Sequence, residues 1–151
     1  MQSAKRVSES RTEQVQILSQ ATLNGYRRLF GGQLMEWIDI VAAVTARRHA
    51  GCNVTTAAID SLTFRRPAYA NDTLVLVGEL TYVGTTSMEV SVKTYIEGLD
   101  GSRLLINEAY LIMVALDENE NPTAVPPLIL ETEDEKRRYN EAKARARARR
   151  K

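Results

Sequence analysis

Between Gly32 and His49 the chain has almost no polar helical face. Leu34, Met35, Trp37, Ile38, Ile40, Val41, Ala42, Ala43, Val44 and Ala46 crowd one segment. A helix apolar nearly all round belongs in a core, with protein on most sides. It closes on Arg47, Arg48 and His49, which read as cations at an exposed helix end, and Gly51 reads as the stop. One carboxylate, Asp39, lies inside it, and from there to Ala46 the only other polar residue is Thr45. Such a carboxylate is costly unless it is paired, solvated by a cleft, or used.

The rest of the chain reads as what must wrap this helix. Val15, Ile17 and Leu18 suggest a first strand. After the helix come four strand-like runs: Val54 to Phe64, Thr73 to Val83, Met88 to Ile96 and Arg103 to Leu116. Gly84-Thr85-Thr86 and Gly98-Leu99-Asp100-Gly101 suit hairpins between the last three. Along Met88 to Ile96, Met88, Val90, Val92, Thr94 and Ile96 face one way, and Glu89, Ser91, Lys93, Tyr95 and Glu97 the other. The expected class is α+β, one antiparallel sheet curled around one long helix. So small a sheet leaves an edge and part of the helix uncovered, which a second copy of the chain could cover.

The length fits one domain, assigned to residues 12–130, with 1–11 as a disordered polar tail and 131–151 as a charged C-terminal helix. Thr132 with Glu135 has capping-box spacing. Nine Lys and Arg against five Asp and Glu in that tail suggest a solvated helix, loosely docked, with a solubilising role. The remainder is mildly acidic, so nucleic acid is not expected as a partner. Cys52 is the only cysteine and His49 the only histidine, which rules out an intrachain disulfide and a Cys/His zinc site built by one chain. With no apolar run long enough to span a bilayer and no signal peptide, a cytoplasmic location is expected.

Nucleophilic triads and phosphate loops find no support in the pattern. What remains is a carboxylate, an amide and a helix start. Gly31 and Gly32 would leave the first N–H groups of the helix open to a substrate carbonyl. The dipole there favours a developing oxyanion. Asp39 could activate water or attack directly, and Asn24, in an Asn-Gly turn, is a second candidate for a catalytic role. Gly32 and Asp39 share a helix face but lie about 10 Å apart along the axis, too far for one small reaction centre without a bridging water or a second chain.

These residues resemble a known family. Asn24-Gly25, Leu29-Phe30-Gly31-Gly32, Leu34-Met35, Trp37 and Asp39 are similar to the signature of hot-dog-fold acyl-CoA thioesterases of the short single-domain bacterial type. Arg48-His49-Ala50, Thr56-Ala57, Asp60, Phe64, Pro67, Val83 to Val90, Val114 to Asp117 and Val125-Pro126 extend the resemblance over about residues 15–128. Members commonly carry His or a second Asn where Ala21-Thr22-Leu23 stands here. The resemblance implies a hot-dog fold paired as a dimer or a trimer of dimers. It implies hydrolysis of acyl-CoA to a free fatty acid and coenzyme A, with no cofactor beyond the coenzyme A of substrate and product. It places Asn24 of one subunit opposite Asp39 of its partner and the thioester carbonyl at Gly31 and Gly32. It also puts coenzyme A near Gly84, Thr86, Ser87 and Arg66. Among basic residues, Arg27, Arg28, Arg65 and Lys93 are further candidates for its phosphates. The alternative is a hot-dog protein that binds or senses acyl-CoA without hydrolysing it.

Overall fold

The computed structural model describes residues 2–25, 28–29, 31–60 and 65–150. Arg27 and the end of the first expected meander strand, residues 61–64, lie outside them. The chain begins with a two-residue strand β1 (Lys5–Arg6), a helical turn α1 (Val7–Ser10) and strand β2 (Thr12–Ile17). A 3-10 turn (Gln20–Thr22) precedes the long helix α2 (Gly31–Ala50). Strands β3 (Asn53–Asp60), β4 (Thr73–Val83), β5 (Ser87–Glu97) and β6 (Arg103–Leu116) follow. A short β7 (Leu128–Ile129) and helix α3 (Glu133–Arg149) close the chain.

Strands β2 to β6 form one antiparallel sheet in the order β2-β4-β5-β6-β3. It curls around α2, the hot-dog arrangement the resemblance implies. Leu34, Ile38, Val41, Ala42 and Ala46 of the helix meet Leu74, Leu76 and Leu80 of β4, Met88, Val90 and Val92 of β5, and Leu111 and Met113 of β6. Gly78 is what lets the helix lie so close: a Cβ there would stand 2.5 Å from Thr45 Oγ1 and 2.8 Å from Val41 Cγ1. The helix is less completely wrapped than its apolarity suggests. Met35 and Ile40 remain 40% and 46% exposed on a stripe that includes Gly32, Glu36 and Asp39, and β3 alongside is an open, largely exposed edge. No helix among the described residues is long and apolar enough to cross a membrane.

Three expectations need correction. Residues 1–11 were expected to be disordered, but β1 pairs in parallel with β7, and Val7 and Ser10 are buried. His49 is not an exposed cation: it is fully buried, its Nε2 2.8 Å from Pro126 O, and burial pushes its pKa below the ordinary imidazole value. The helix end is tied down through Arg48, whose guanidinium donates to Arg11 O and Thr12 Oγ1.

The third correction concerns the tail, which is neither loose nor merely solubilising. The Thr132 hydroxyl caps α3 by accepting from Glu135 N at 3.0 Å, while the Glu135 carboxylate reaches back to Glu131 N at 2.8 Å. The helix then lies on the outer face of the sheet. Ala142 is fully buried, and Tyr139 packs on Tyr82 with ring centroids 4.9 Å apart. Arg145 grips Glu89 through Nε at 3.0 Å and Nη2 at 2.8 Å and covers the ring of Tyr110 at 3.8 Å. The Glu89 side chain has no solvent exposure, and its Oε1 also accepts from Thr81 Oγ1 at 2.5 Å.

Candidate active site

Asp39 sits midway along α2, where the exposed stripe of the helix meets β3. Its carboxylate accepts a hydrogen bond from Thr56 Oγ1 at 2.6 Å. Among the described residues Thr56 is its only hydrogen-bond partner, so the second carboxylate oxygen is available. Thr56 is aimed by a defect in the sheet. It pairs with Met113 and Ala58 with Ile112, so the register shifts between Thr56 and Ala58. Bulges of this kind bend a strand and re-aim side chains beside functional sites. Gly32, Met35, Glu36, Asp39, Thr56 and Ile59 line an open cleft of about 450 Å³. The lone carboxylate is therefore partly solvated by a cleft and fixed by one hydroxyl, two of the three conditions under which a helix like this tolerates it.

Asn24 lies in a different cleft. Its side-chain Oδ1 accepts from Arg28 N at 3.2 Å, and its own N–H donates to Arg28 O at 2.7 Å, which ties the two residues together. Leu29 N–H then reaches Ala68 O at 2.8 Å, which sets the approach to α2. Asn24, Arg28, Leu29, Gly31, Arg65, Arg66, Pro67 and Ala68 line about 320 Å³. Among the described residues, a Cβ on Gly31 would meet nothing within 4 Å. No acidic residue stands in the first turn of α2, so the positive end of the helix dipole is not compensated within the helix. Among the described residues, Arg28, Arg65 and Arg66 make no ion pair, and no carboxylate lines their cleft. Three unpaired guanidiniums beside a helix N-terminus form an anion-attracting surface.

Within one chain, then, Asn24, Gly31 and Arg66 come together, and Gly32 and Asp39 come together, but the two clefts share no described lining residue. Gly84, Thr86 and Ser87 join neither group. They form the turn between β4 and β5, at the far end of a strand whose start, near Ala68 and Asp72, neighbours the beginning of α2. Thr56 is the residue that reasoning from charge and periodicity missed. It appeared only inside the Thr56-Ala57 pair of the resemblance, because a Thr- and Ala-rich run does not reveal which hydroxyl a bulge turns toward the helix.

The family model described as the thioesterase superfamily matches residues 26–101. The chain is 43% identical over 124 residues to YkhA of Bacillus subtilis (strain 168), named an uncharacterized acyl-CoA thioester hydrolase, covering 82% of this chain and 72% of that protein. This chain belongs to the thioesterase superfamily. Its structure is also close to an apo-hexameric acyl-CoA thioesterase, with a TM-score of 0.93 and 41% identity over 98% of this chain and 96% of that one. An acyl-CoA hydrolase from Staphylococcus aureus, solved with butyryl coenzyme A, coenzyme A and coenzyme A disulfide, gives a TM-score of 0.93 and 37% identity over 97% and 90% of the two chains. That hydrolase has also been solved with an aspartate, a threonine or an asparagine replaced by alanine. The chain spans about a third of the length of the mammalian cytosolic acyl coenzyme A thioester hydrolases it matches. The fold is the hot-dog fold and the chain is a thioester-hydrolysing enzyme.

Proposed function

We propose that this thioesterase hydrolyses acyl-coenzyme A to a free fatty acid and coenzyme A, at a site divided between two copies of the chain. The observation that carries the reading is the Asp39–Thr56 pair, a carboxylate held at one oxygen and left available at the other, in an open cleft. Supporting it, the asparagine, aspartate and threonine replaced in the Staphylococcus aureus hydrolase follow one another at the same sequence intervals as Asn24, Asp39 and Thr56.

In this mechanism the Asp39 carboxylate of one protomer accepts a proton from water as that water attacks the thioester carbonyl. Thr56 fixes the carboxylate and leaves it one oxygen for the work. Asn24 and the helix start at Gly31 and Gly32, presented by the partner, donate hydrogen bonds to the carbonyl oxygen as it becomes an oxyanion. Collapse of the tetrahedral intermediate breaks the carbon–sulfur bond, and the leaving thiolate takes the proton held by Asp39. The second copy is favoured by the separate clefts, by the exposed Met35 and Ile40 stripe and by the open β3 edge. The hexameric relative suits a trimer of such dimers. Arg66, with Arg28 and Arg65, receives phosphates of coenzyme A, and Gly84, Thr86 and Ser87 of a neighbouring subunit hold it from another side. The enzyme needs no cofactor for this chemistry and works in the cytoplasm, a setting that suits one unpaired cysteine.

A thiol-release assay on a panel of acyl-CoA substrates tests this. Asp39→Ala is expected to lower kcat by about 10² to 10⁴. Asn24→Ala acts on the same step, and mixing the two inactive variants restores part of the activity through hybrid sites. Parent rates in both single variants, or no recovery on mixing properly assembled protein, would overturn the divided site.

A further inference from the structure

Among the described residues, the turn from Gly84 to Ser87 is held by backbone hydrogen bonds. Gly84 N–H donates to Ser87 O at 2.8 Å, Ala115 N–H to Thr86 O at 2.9 Å, and Val125 N–H to Thr85 O at 3.0 Å. The first bond is internal and the second comes from the end of β6. The third comes from the exit segment before β7. Pro126 and Pro127 follow Val125 and bring no N–H groups, so the segment cannot continue a ladder. Thr123 N–H reaches Ala115 O at 2.9 Å and the Val125 side chain packs in the core, and beyond Val125 the segment is held through its carbonyls. Lys5 N–H reaches Pro127 O at 3.0 Å, and His49 Nε2 meets Pro126 O at 2.8 Å.

His49 is an expensive way to make that contact. The ring is fully buried on the last turn of α2, and Nδ1 has no partner among the described residues. Because the carbonyl can only accept, Nε2 carries the hydrogen and Nδ1 is the bare nitrogen. Packing alone would be served better by an apolar side chain, which leaves no buried nitrogen unsatisfied. The contact therefore points to what His49 holds rather than to how it packs.

We infer that His49 is a positioning residue for coenzyme A binding: through Pro126 and Val125 it fixes Thr85, and with it the backbone of the Gly84–Ser87 turn. The inference rests on the proposed reading that this turn holds coenzyme A. His49 touches neither substrate nor reacting atoms, so its removal acts on the affinity for the nucleotide-bearing substrate and not on the chemical step.

The test compares hydrolysis of butyryl-CoA with hydrolysis of butyryl-N-acetylcysteamine, which carries the same thioester without the nucleotide. His49→Leu is expected to raise KM for the first about fivefold, the equivalent of one hydrogen bond, with kcat retained and with KM for the second unchanged. His49→Gln keeps an N–H donor at similar reach and restores the parent KM. His49→Asn, whose amide is too short for Pro126 O, reproduces the rise and stands in if the leucine variant does not fold. Thr86→Glu tests the underlying reading by placing a carboxylate on the turn, and it too raises KM for butyryl-CoA alone. If Thr86→Glu raises that KM and the leucine and asparagine variants do not, the role of His49 is overturned while the turn keeps its own. If Thr86→Glu leaves KM unchanged, the turn does not hold coenzyme A and both claims fall. Equal losses on both thioesters in the His49 variants also overturn the proposal, since they mark general structural damage.

Discussion

Replacing Arg145 by methionine tests whether α3 belongs to the folded unit. The Glu89 side chain has no exposure, and in the parent Arg145 neutralises it through two hydrogen bonds, at 2.8 and 3.0 Å. Without that guanidinium the carboxylate keeps the Thr81 hydroxyl at 2.5 Å and Arg149 at 3.8 Å. Breaking one side of a buried pair costs about 3–5 kcal/mol. The lost stacking on Tyr110 adds roughly 0.5–1 kcal/mol. Two features pull the sum to the lower end: Arg145 is itself 24% exposed, and Arg149 is close enough to move in. The expected loss is therefore about 3 kcal/mol, or about 6–12 °C in Tm for a chain of this length. The double variant Glu89→Met with Arg145→Met replaces the pair by apolar groups and is expected to recover to within about 1 kcal/mol of the parent. The Thr81 hydroxyl stays satisfied there, because it also reaches the Glu89 carbonyl at 3.2 Å. Urea unfolding of all three proteins at one fixed protein concentration is the assay, since self-association stabilises by mass action. A single variant as stable as the parent, or a double variant no better than the single, would refute the reasoning.

Two further outcomes are expected. Gly78→Ala puts a Cβ 2.5 Å from Thr45 Oγ1 and 2.8 Å from Val41 Cγ1, so α2 must shift, at a cost of about 1–3 kcal/mol read by the same unfolding experiment; parent stability would mean the helix has room that the distances deny it. For His49, burial depresses the pKa and a nearby Lys5 adds to this, while the bond to the Pro126 carbonyl and Glu9 act the other way. The unfolded chain therefore takes up this proton first, and stability falls as pH drops below about 6.5 until the lower folded pKa is passed. Unfolding free energies of the parent and His49→Gln measured between pH 8 and pH 5 should diverge on the acid side only; parallel curves would show that His49 does not titrate differently on folding.

The parts of the fold legible in the sequence are those in which polarity and position agree. The bounds of β4 and β6 follow directly from apolar runs closed by turn residues, and α2 from its density of aliphatic side chains. Asp39 stood out because a carboxylate in such a helix requires an explanation, and the structure supplies a cleft and a hydroxyl. Thr56 did not stand out, since which hydroxyl faces the helix is decided by a one-residue register shift between Thr56 and Ala58. A shift of that size leaves no mark on a run of small residues. His49 misled for a related reason. Its neighbours Arg47 and Arg48 are exposed, yet the next position around the helix turns inward to a proline carbonyl that lies far away in sequence.

Helix α3 shows where alternation as a guide fails in principle. Glu89, Ser91, Lys93, Tyr95 and Glu97 form the polar row of β5, and a polar row is ordinarily assigned to solvent. Here Glu89 and Ser91 are buried, because the element covering them is as polar as they are. Arg138 pairs with Glu108 at 3.3 Å, Ser91 donates to the same carboxylate at 2.8 Å, and Arg145 closes on Glu89. Binary patterning records whether a side chain is polar, and burial follows from that only when the partner surface is apolar. When two polar faces neutralise each other, both read as exposed, and a docked helix is mistaken for a tail. The alanines of the tail do not reveal the docked face either: Ala142 and Ala146 are buried against the sheet, while Ala144 and Ala148, at the same spacing and among the same basic residues, are exposed.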